Sequence, residues 1–449
     1  MSRRTTYSLL LGILVFSLVL RVGASYWWQD RVDKLDVVQV SHGAKFNFPD
    51  SPSYWSLGKQ IAEGKPYEYD GGKIFRTPGY PILLSLCFYF YEEPSPLLAR
   101  WIGAVLGMFV VWEVYLLTTL LFSRQSGLIA AFLTAIYPGA IAMSVFVLSE
   151  ALFCPLMLLQ FFCWQKGWQG EIGKIELPVS ERLGYWLLTG FLGGLAVLVR
   201  PSWLLFMPFT LIFGIAFFLI YREKCGLKRH LLASCWILVG LVVAMGPWWA
   251  RNYQLTGHFV PTTLQVGASL YDGLSPIADG SSNMEYVPRF KAQLRSEDRQ
   301  ALKENPTLTP SSLNDSFEER LDRRMKEESI AWAQENPGKV VQLAGVKFLR
   351  IWSFWPSASE FKNQYFGWVL ILGFTPLLVF GLMGAYRMRK SWSMWLFVMP
   401  AIYFTALHMV FVGSIRYRQP AMLTLIVLGA PVVISLLGAC CRRCHKQES

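Results

Sequence analysis

The sequence predicts an all-α polytopic membrane protein, and its composition is the first reason. The 449 residues are 53% hydrophobic and 15% aromatic but only 16% charged, and the mean hydropathy is +0.35. Apolar runs long enough to form membrane helices recur along the whole chain. A soluble core of this size would not need so many uninterrupted apolar runs.

The net charge of +12 does not indicate a nucleic-acid-binding protein. The basic residues do not form an aromatic-interleaved groove, and most lie between apolar segments, as the positive-inside bias predicts. Arg3 and Arg4 precede the apolar run Leu9–Leu20, and no small-residue cleavage site precedes the bulky Tyr26-Trp27-Trp28. We therefore interpret this run as an uncleaved first span with the N-terminus in the cytoplasm.

About ten spans agree with the charge bias when Pro78–Tyr91 is treated as an interfacial or re-entrant helix. That segment has about 14 residues, fewer than the ~20 that a span needs. Both termini are then cytoplasmic, and a polar segment faces outside. The predicted spans are Leu9–Leu20, Leu97–Phe122, Gly127–Ala142, Ala151–Trp164, Tyr185–Val199, Trp203–Tyr221, Leu231–Trp248, Tyr365–Tyr386, Met394–Val412 and Pro420–Leu437.

The order of these segments predicts three regions. Residues 1–250 form an N-terminal transmembrane module with a first outer loop at 27–96, and residues 251–364 form a small extracytoplasmic segment. Residues 365–449 hold the last spans and a basic cytoplasmic tail. Within the outer segment, Phe317–Glu335 is predicted to be a charged helix, and the amphipathic Lys339–Trp355 is typical of the membrane interface.

Polar and ionisable residues that are costly near a membrane collect on the predicted outer side, in loops or at helix ends. Such residues are functional by default. Guanidinium groups match phosphate oxygens, which favours an anionic head group, and aromatic neighbours favour an anion with a lipid tail. The candidates are Asp50, Tyr54, Arg76, Glu150, Arg200, Arg251, Asn252, His408, Arg416, Tyr417 and Arg418.

Asp50 is the candidate catalytic base. It lies in Phe48-Pro49-Asp50-Ser51-Pro52-Ser53-Tyr54, a polar stretch at the predicted membrane surface. Asp followed by Ser-Pro is also a good helix start, so an N-cap role for Asp50 stays open.

Structural interpretations stay open for other candidates as well. Arg416 and Arg418 also fit snorkelling anchors, and His408 fits a packing residue between helices. Glu150 fits a carboxylate stabilised by a helix macrodipole, and Tyr54 fits an aromatic-belt anchor. Capping of outer helix ends is open for Arg200, Arg251 and Asn252.

Six motifs together resemble those of GT-C glycosyltransferases of the family 39 type, a group that includes protein O-mannosyltransferases and the lipid A aminoarabinose transferase. Each motif alone is weak, but their order, their spacing and their common side of the membrane are specific. The resemblance runs from the first outer loop to the last span. The motifs are Pro49-Asp50-Ser51-Pro52-Ser53-Tyr54, Arg76-Thr77-Pro78-Gly79-Tyr80-Pro81, Ser149-Glu150, Arg200-Pro201, Pro247-Trp248-Trp249-Ala250-Arg251-Asn252-Tyr253 and Arg416-Tyr417-Arg418.

The resemblance implies the GT-C fold and transfer of a sugar from a polyprenyl-phosphate donor to an acceptor hydroxyl, usually with inversion at the anomeric carbon. In that family an acidic residue of the first outer loop deprotonates or orients the acceptor, and this role maps onto Asp50. Glu150 is a second acid that positions the acceptor or assists the base. The mannosyltransferases carry an adjacent acidic pair here, whereas Asp50 is followed by Ser51. This departure favours a lipid or glycan acceptor over a peptide.

The remaining assignments also follow from the resemblance. Arg416 and Arg418, together with His408, Arg200 and Arg251, would hold the lipid phosphate, whose departure needs no protonating acid. Some GT-C enzymes use a divalent ion, but no His or carboxylate cluster here has ligand spacing, so no metal or other cofactor is predicted. The predicted location is a bacterial inner or cell membrane, with an extracytoplasmic active site. Two alternatives remain, a polyprenyl-lipid transporter or flippase and a non-enzymatic envelope assembly protein.

Overall fold

A computed structural model describes residues 2–34, 46, 48–168, 178–304, 316–355 and 364–447. In these ranges the regular structure is helical, apart from one antiparallel bridge between Tyr69 and Gly72. The predicted all-α class is confirmed. Parts of the predicted first outer loop (35–45 and 47) and the end of the outer segment (356–363) lie outside the described residues. The helices are α1 Arg3–Asp33, α2 Ser51–Ala62, α3 Gly79–Phe90, α4 Pro96–Leu121, α5 Arg124–Ile136, α6 Pro138–Val145, α7 Glu150–Trp168, α8 Val179–Val199, α9 Phe206–Ile220, α10 Lys224–Thr256, α11 Val266–Gly273, α12 Val287–Glu304, α13 Phe317–Glu335, α14 Pro337–Ile351, α15 Gln364–Arg387, α16 Trp392–Val410 and α17 Gln419–Gln447.

Eight helical segments in the described ranges are long and apolar enough to cross a membrane, or nine if α5 and α6 count as one bent span. The predicted span Gly127–Ala142 is this bent pair, whose helices meet at 60° because Pro138 interrupts the backbone hydrogen-bond ladder. The predicted span Ala151–Trp164 lies in α7, which is not among the eight. The count of about ten spans, their sidedness and the three-region division remain predictions.

Helix α17 lies at the centre of the helix bundle. Its residues from Ala421 to Val432 are almost all buried, and it packs against α5, α15 and α16. A helix that is apolar all round finds favourable contacts on every side only inside a protein or a membrane. The loop before α17 is therefore fixed at one end by the core.

The predicted outer segment contains α11 to α14. The charged helix Phe317–Glu335 has the predicted bounds and begins with a capping box between Ser316 and Glu319. A small apolar cluster joins this segment internally, with Ala268 of α11, Phe290 of α12 and Met325 of α13 among its buried members. Helix α14 packs against α16 and so connects the segment to the bundle.

The short helices α2 and α3 pack against each other, and α3 also contacts α8. Gly79 makes the second contact possible, because a Cβ there would lie 2.7 Å from the Leu198 carbonyl oxygen. The start of α2, the start of α7, the end of α8 and the loop between α16 and α17 meet at this end of the bundle. That meeting point holds most of the predicted site residues.

Candidate active site

Asp50 stands directly before α2, but its side chain does not cap that helix. Oδ1 accepts a hydrogen bond from Nη2 of Arg76 at 2.7 Å, and Oδ2 accepts one from Nη1 of Arg416 at 3.1 Å. The Asp50 carbonyl accepts from the Ser53 hydroxyl and the Tyr54 N–H, so main-chain atoms start the helix. The carboxylate is left to join separate segments, and its side chain keeps 35% of its surface exposed.

Arg76 is placed by a hairpin between α2 and α3. Asp70 and Gly71 at its turn have φ angles of 52° and 78°, and a type I′ turn requires positive φ at both central residues. The Tyr67 hydroxyl donates to the Arg76 carbonyl at 3.1 Å. The Arg76 side chain donates through Nε to Ser53 Oγ at 3.1 Å. Arg76 is therefore held by hydrogen bonds at both its main-chain carbonyl and its guanidinium group.

Glu150 is the buried carboxylate of the site. It is the first residue of α7 and has 0% exposure, at a helix end that favours negative charge. Oε1 accepts from Nη1 of Arg200 at 2.6 Å and from Nε of Arg416 at 2.5 Å, while Oε2 accepts from Nη2 of Arg416 at 3.0 Å. One carboxylate thus joins the start of α7, the end of α8 and the loop before α17.

These contacts form a continuous chain of alternating charges in the order Arg76, Asp50, Arg416, Glu150, Arg200. We call these five residues the ion-pair chain. Its three guanidinium groups face two carboxylates, which leaves one net positive charge. A buried net charge attracts a ligand of opposite charge, and a phosphodiester carries one negative charge at neutral pH.

Aromatic rings lie beside the arginines. The Tyr417 ring stacks on His408 with centroids 3.7 Å apart and an interplanar angle of 3°. The guanidinium carbon of Arg200 lies 5.5 Å from the Tyr417 ring centroid, and that of Arg76 lies 4.8 Å from the Tyr54 ring centroid. Cation–π contacts of this kind hold guanidinium planes in place without using their N–H groups. The remaining donors stay available to a ligand.

The arginines decide the charge state of Asp50. Burial by itself would raise the pKa of the carboxyl, but the charges of Arg76 and Arg416, with their hydrogen bonds, hold that pKa well below its usual range. Burial lowers the pKa of Arg416, yet Glu150 and Asp50 raise it above its usual value overall. Asp50 and Arg416 are therefore both ionised near neutral pH, and Asp50 has a low proton affinity while Arg76 and Arg416 contact it.

Three predicted site residues do not touch the ion-pair chain. Arg251 donates to carbonyls of the hairpin at 3.0 and 3.4 Å, and Asn252 donates to carbonyls just beyond α10 at 3.0 and 3.4 Å. Arg418 donates to two carbonyls at and just beyond the end of α14, at 3.0 and 2.6 Å. All three side chains bind backbone carbonyls, and they lie apart from the candidates that form the ion-pair chain.

Ser53 and Tyr67 are not among the site residues predicted from the sequence. Ser53 carried a signal, because it follows Asp50 by three residues and so lies on the same side of the first turn of α2. Tyr67 carried none, since its role depends on the hairpin that brings its hydroxyl to the backbone at Arg76.

The site residues do not resemble a metal-ligand set. The carboxylate oxygens of Asp50 and Glu150 accept hydrogen bonds from guanidinium groups, and Arg416 occupies the space between them. No group of three or more His, Cys, Asp or Glu in the described ranges could hold a metal ion. In this arrangement the guanidinium of Arg416 lies between the two carboxylates, where a metal ion would lie in a metal site.

Residues 76–249 match a protein family described as dolichyl-phosphate-mannose-protein mannosyltransferase. The match begins at Arg76, includes Glu150 and Arg200, and leaves Asp50 and Arg416 outside. No curated protein sequence matches the chain.

The chain is also similar to crystal structures of the Archaeoglobus fulgidus oligosaccharyltransferase. Against its complex with Zn and sulfate the TM-score is 0.53 at 17% identity, covering 96% of this chain and 49% of that one. Against the apo form the TM-score is 0.53 at 18% identity, and the match covers 95% of this chain and 51% of that one. For the crystal structure of ArnT from Cupriavidus metallidurans bound to undecaprenyl phosphate, the TM-score is 0.45 at 15% identity. That match covers 92% of this chain and 78% of the ArnT chain.

The chain spans about half the length of the oligosaccharyltransferase that it matches, and at such low identity the likeness establishes the fold alone. The apolar helices place that fold in a membrane. The family match adds a glycosyltransferase signature over residues 76–249, from just before α3 to a point within α10. The chain is therefore an integral membrane protein with the GT-C fold, which confirms the fold that the resemblance of its motifs implied.

Proposed function

We propose that this protein moves a sugar from a polyprenyl-phosphate-linked donor to an acceptor hydroxyl on the extracytoplasmic side of the membrane. The observation that carries the proposal is the position of Arg416, which bridges Asp50 and Glu150. An accessible carboxylate and an arginine-rich anion site are thereby joined in one place. The description of the matched family, which names dolichyl-phosphate mannose, supports a donor of this class.

The arginines suit the leaving group of such a reaction. When the bond between the anomeric carbon and the phosphate oxygen breaks, the phosphate keeps the electron pair and gains negative charge. Preorganised guanidinium groups stabilise charge that develops in a water-poor site. Arg416 uses three of its N–H groups on Asp50 and Glu150, which leaves two for a phosphate. The net positive charge of the ion-pair chain matches a single phosphodiester.

Asp50 suits the role of base because it is the more accessible carboxylate. Its side chain is 35% exposed, whereas that of Glu150 is fully buried. In the proposed step the acceptor oxygen attacks the anomeric carbon, Asp50 takes the hydroxyl proton, and the sugar is inverted by direct displacement. A donor phosphate competes with Asp50 for Arg76 and Arg416. Weaker pairing with those arginines would raise the proton affinity of Asp50 when the donor is present.

Glu150 has a different proposed role from Asp50. Its buried carboxylate holds Arg200 and Arg416 in register, and it has no exposed surface for an acceptor. We infer that it orients the phosphate-binding arginines. The acceptor is inferred to be a lipid or a glycan, because Ser51 follows Asp50 where the related mannosyltransferases carry a second acid.

We place the site on the extracytoplasmic face of a bacterial membrane, with both termini in the cytoplasm. The support is the charge bias at the helix ends, with Arg3 and Arg4 in the first turn of α1 and Arg387, Arg389 and Lys390 at and just after the end of α15.

The test is transfer from a panel of radiolabelled polyprenyl-phosphate sugars in membranes that contain the wild type or Asp50→Asn. We expect transfer by the wild type and a loss of at least about 100-fold in the variant. Asp70→Asn is the matched control, since Asp70 is exposed in the hairpin that follows α2 and asparagine tolerates its positive φ.

Full transfer by Asp50→Asn would remove Asp50 from the role of base. If no donor in the panel is consumed while a labelled polyprenyl lipid crosses the bilayer, the transporter alternative replaces the transferase. Topology is checked with membrane-impermeant labelling of single cysteines placed in the hairpin and in the tail.

A further inference from the structure

We propose that Lys347 is a positioning residue for the loop that carries Arg416, a role that rests on the function proposed above for Arg416. Lys347 lies on α14 at four-residue spacing from Leu343 and Ile351, so it shares their buried face. It has 0% exposure. A lysine is almost never fully buried without specific partners, so its surroundings must stabilise the ammonium.

The partners of the ammonium are two helix ends. Nζ donates to the carbonyl of Gly273 at 2.8 Å and to the carbonyl of Val410 at 2.7 Å. Gly273 is the last residue of α11, and Val410 is the last residue of α16. The last carbonyls of a helix have no partner within the helix, and a cation there also interacts favourably with the macrodipole. One ammonium therefore satisfies both helix ends.

No described carboxylate forms a salt bridge with Lys347, so the two helix-end carbonyls are its direct partners, and the charge of Asp272 also favours the ammonium. Burial lowers the pKa of Lys347 to about 8. The group is still charged at neutral pH, where it can donate to both carbonyls at once.

The loop 411–418 starts at this point and continues along α14. The N–H of Gly413 donates to the Gly280 carbonyl at 3.0 Å, and Arg350 Nε donates to the Gly413 carbonyl at 3.3 Å. A Cβ on Gly413 would lie 2.6 Å from the Lys347 carbonyl oxygen, so the two backbones are in direct contact. Arg416 follows three residues later. The outer segment thus fixes the near end of the loop, and α17 fixes the far end.

Loss of the ammonium would leave two buried carbonyls without a donor and free the start of the loop. Arg416 has to place three N–H groups on two carboxylates at once, and a displaced loop cannot keep that geometry. The expected consequence is weaker binding of a phosphate at the site.

The experiment compares full-length wild type, Lys347→Met and Lys339→Met in detergent. Lys339 is exposed on the same helix, two turns earlier, and is the matched control. Methionine keeps the length of the side chain and removes only the charge and the donors. Hydrogen exchange in 411–418 and binding of undecaprenyl phosphate are both measured.

For Lys347→Met we expect faster exchange confined to 411–418 and the residues beside it, and a dissociation constant about tenfold higher. The control should match the wild type in both. Gly413→Ala keeps Lys347 but pushes the loop from α14, so it should reproduce both effects even if Lys347→Met fails to fold.

Unchanged exchange in 411–418 of Lys347→Met, or of Gly413→Ala if only that variant folds, would overturn the positioning role. Faster loop exchange with unchanged binding of undecaprenyl phosphate has a different meaning. It would support the tie between Lys347 and the loop while overturning the phosphate role of Arg416, so the two proposals fail separately.

Discussion

The guanidinium of Arg416 lies between two carboxylates, donating to both oxygens of Glu150 at 2.5 and 3.0 Å and to Asp50 at 3.1 Å. Arg416 is 266 residues from Glu150 and 366 residues from Asp50 along the chain. Two carboxylates so close together would repel each other, and the cation between them removes that repulsion. Arg416 therefore determines both the structure of the site and its affinity for an anion.

Arg416→Lys is expected to lower kcat/KM by about 100-fold, because an ammonium cannot form the bidentate contact with Glu150 and also reach Asp50. Sugar transfer in membranes with matched protein levels is the measurement. Arg299→Lys, at an exposed position of α12, is the control. Activity within threefold of the wild type in Arg416→Lys would exclude a role for the guanidinium in stabilising the leaving phosphate.

Glu150→Gln is expected to destabilise the fold by about 3–5 kcal/mol, since it leaves Arg200 and Arg416 without their buried counter-ion. Adding Arg200→Gln should restore part of the free energy of unfolding but not the activity. Unfolding in mixed detergent micelles measures both effects. Glu181→Gln, in the exposed first turn of α8, controls for loss of a carboxylate at a helix start. If Glu150→Gln and Glu181→Gln had the same free energy of unfolding, the structural role of Glu150 would be contradicted.

The pH dependence follows from the sign of the Asp50 shift. Its folded-state pKa lies below the unfolded value of about 3.9, so the ionised group stabilises the fold above that pH and the stabilisation is lost as the pH falls below it. Wild-type kcat/KM should therefore show no acid limb from Asp50 above about pH 4.

Arg76→Gln removes one of the two cations that lower this pKa, so the acid limb should move up by about one unit or more. Lys73→Gln, an exposed cation of the same hairpin, should leave the profile unchanged. Profiles of kcat/KM that extend from about pH 2 to about pH 8 decide the matter, because the wild-type acid limb is expected below about pH 4. Coincident acid limbs in Arg76→Gln and the wild type would argue against pairing of Arg76 with Asp50 in solution.

Tyr417 is expected to act through its ring. Its centroid lies 5.5 Å from the Arg200 guanidinium carbon and 5.8 Å from that of Arg416. Tyr417→Ala should weaken binding of undecaprenyl phosphate about tenfold, whereas Tyr417→Phe should stay within about threefold. Tyr386→Ala removes an exposed ring beside Arg389 and serves as the control. Equal loss in the Phe and Ala variants would assign the effect to the hydroxyl instead.

Chelators are expected to leave transfer unchanged, because Arg416 fills the space between the carboxylates that a divalent cation would need. Activity is compared before and after treatment with EDTA and again after Mg²⁺ or Mn²⁺ is added back. A loss that either ion reverses would show that the two carboxylates release Arg416 and bind metal during the reaction.

Local patterns in the sequence were enough to predict most of the long apolar helices, whereas α11 and α12 of the outer segment were not predicted. The charged helix Phe317–Glu335 has the predicted bounds, and it ends at the Asn-Pro-Gly sequence that follows it. The short apolar helix expected in Pro78–Tyr91 is Gly79–Phe90. The bend at Pro138 was missed, because an uninterrupted apolar run reads as one span whether or not its axis changes direction.

The sequence by itself determined the membrane class, the helix pattern and the set of charged residues in which the site lies, since hydropathy and capping depend on near neighbours. Only the tertiary structure decided which of these charged residues contact one another. Arg416 and Arg418 are two residues apart, yet one joins the carboxylates and the other holds the end of α14. The burial of Lys347 between two helix ends was equally hidden. Side-chain direction at a turn, and contacts across hundreds of residues, depend on packing that no local pattern encodes.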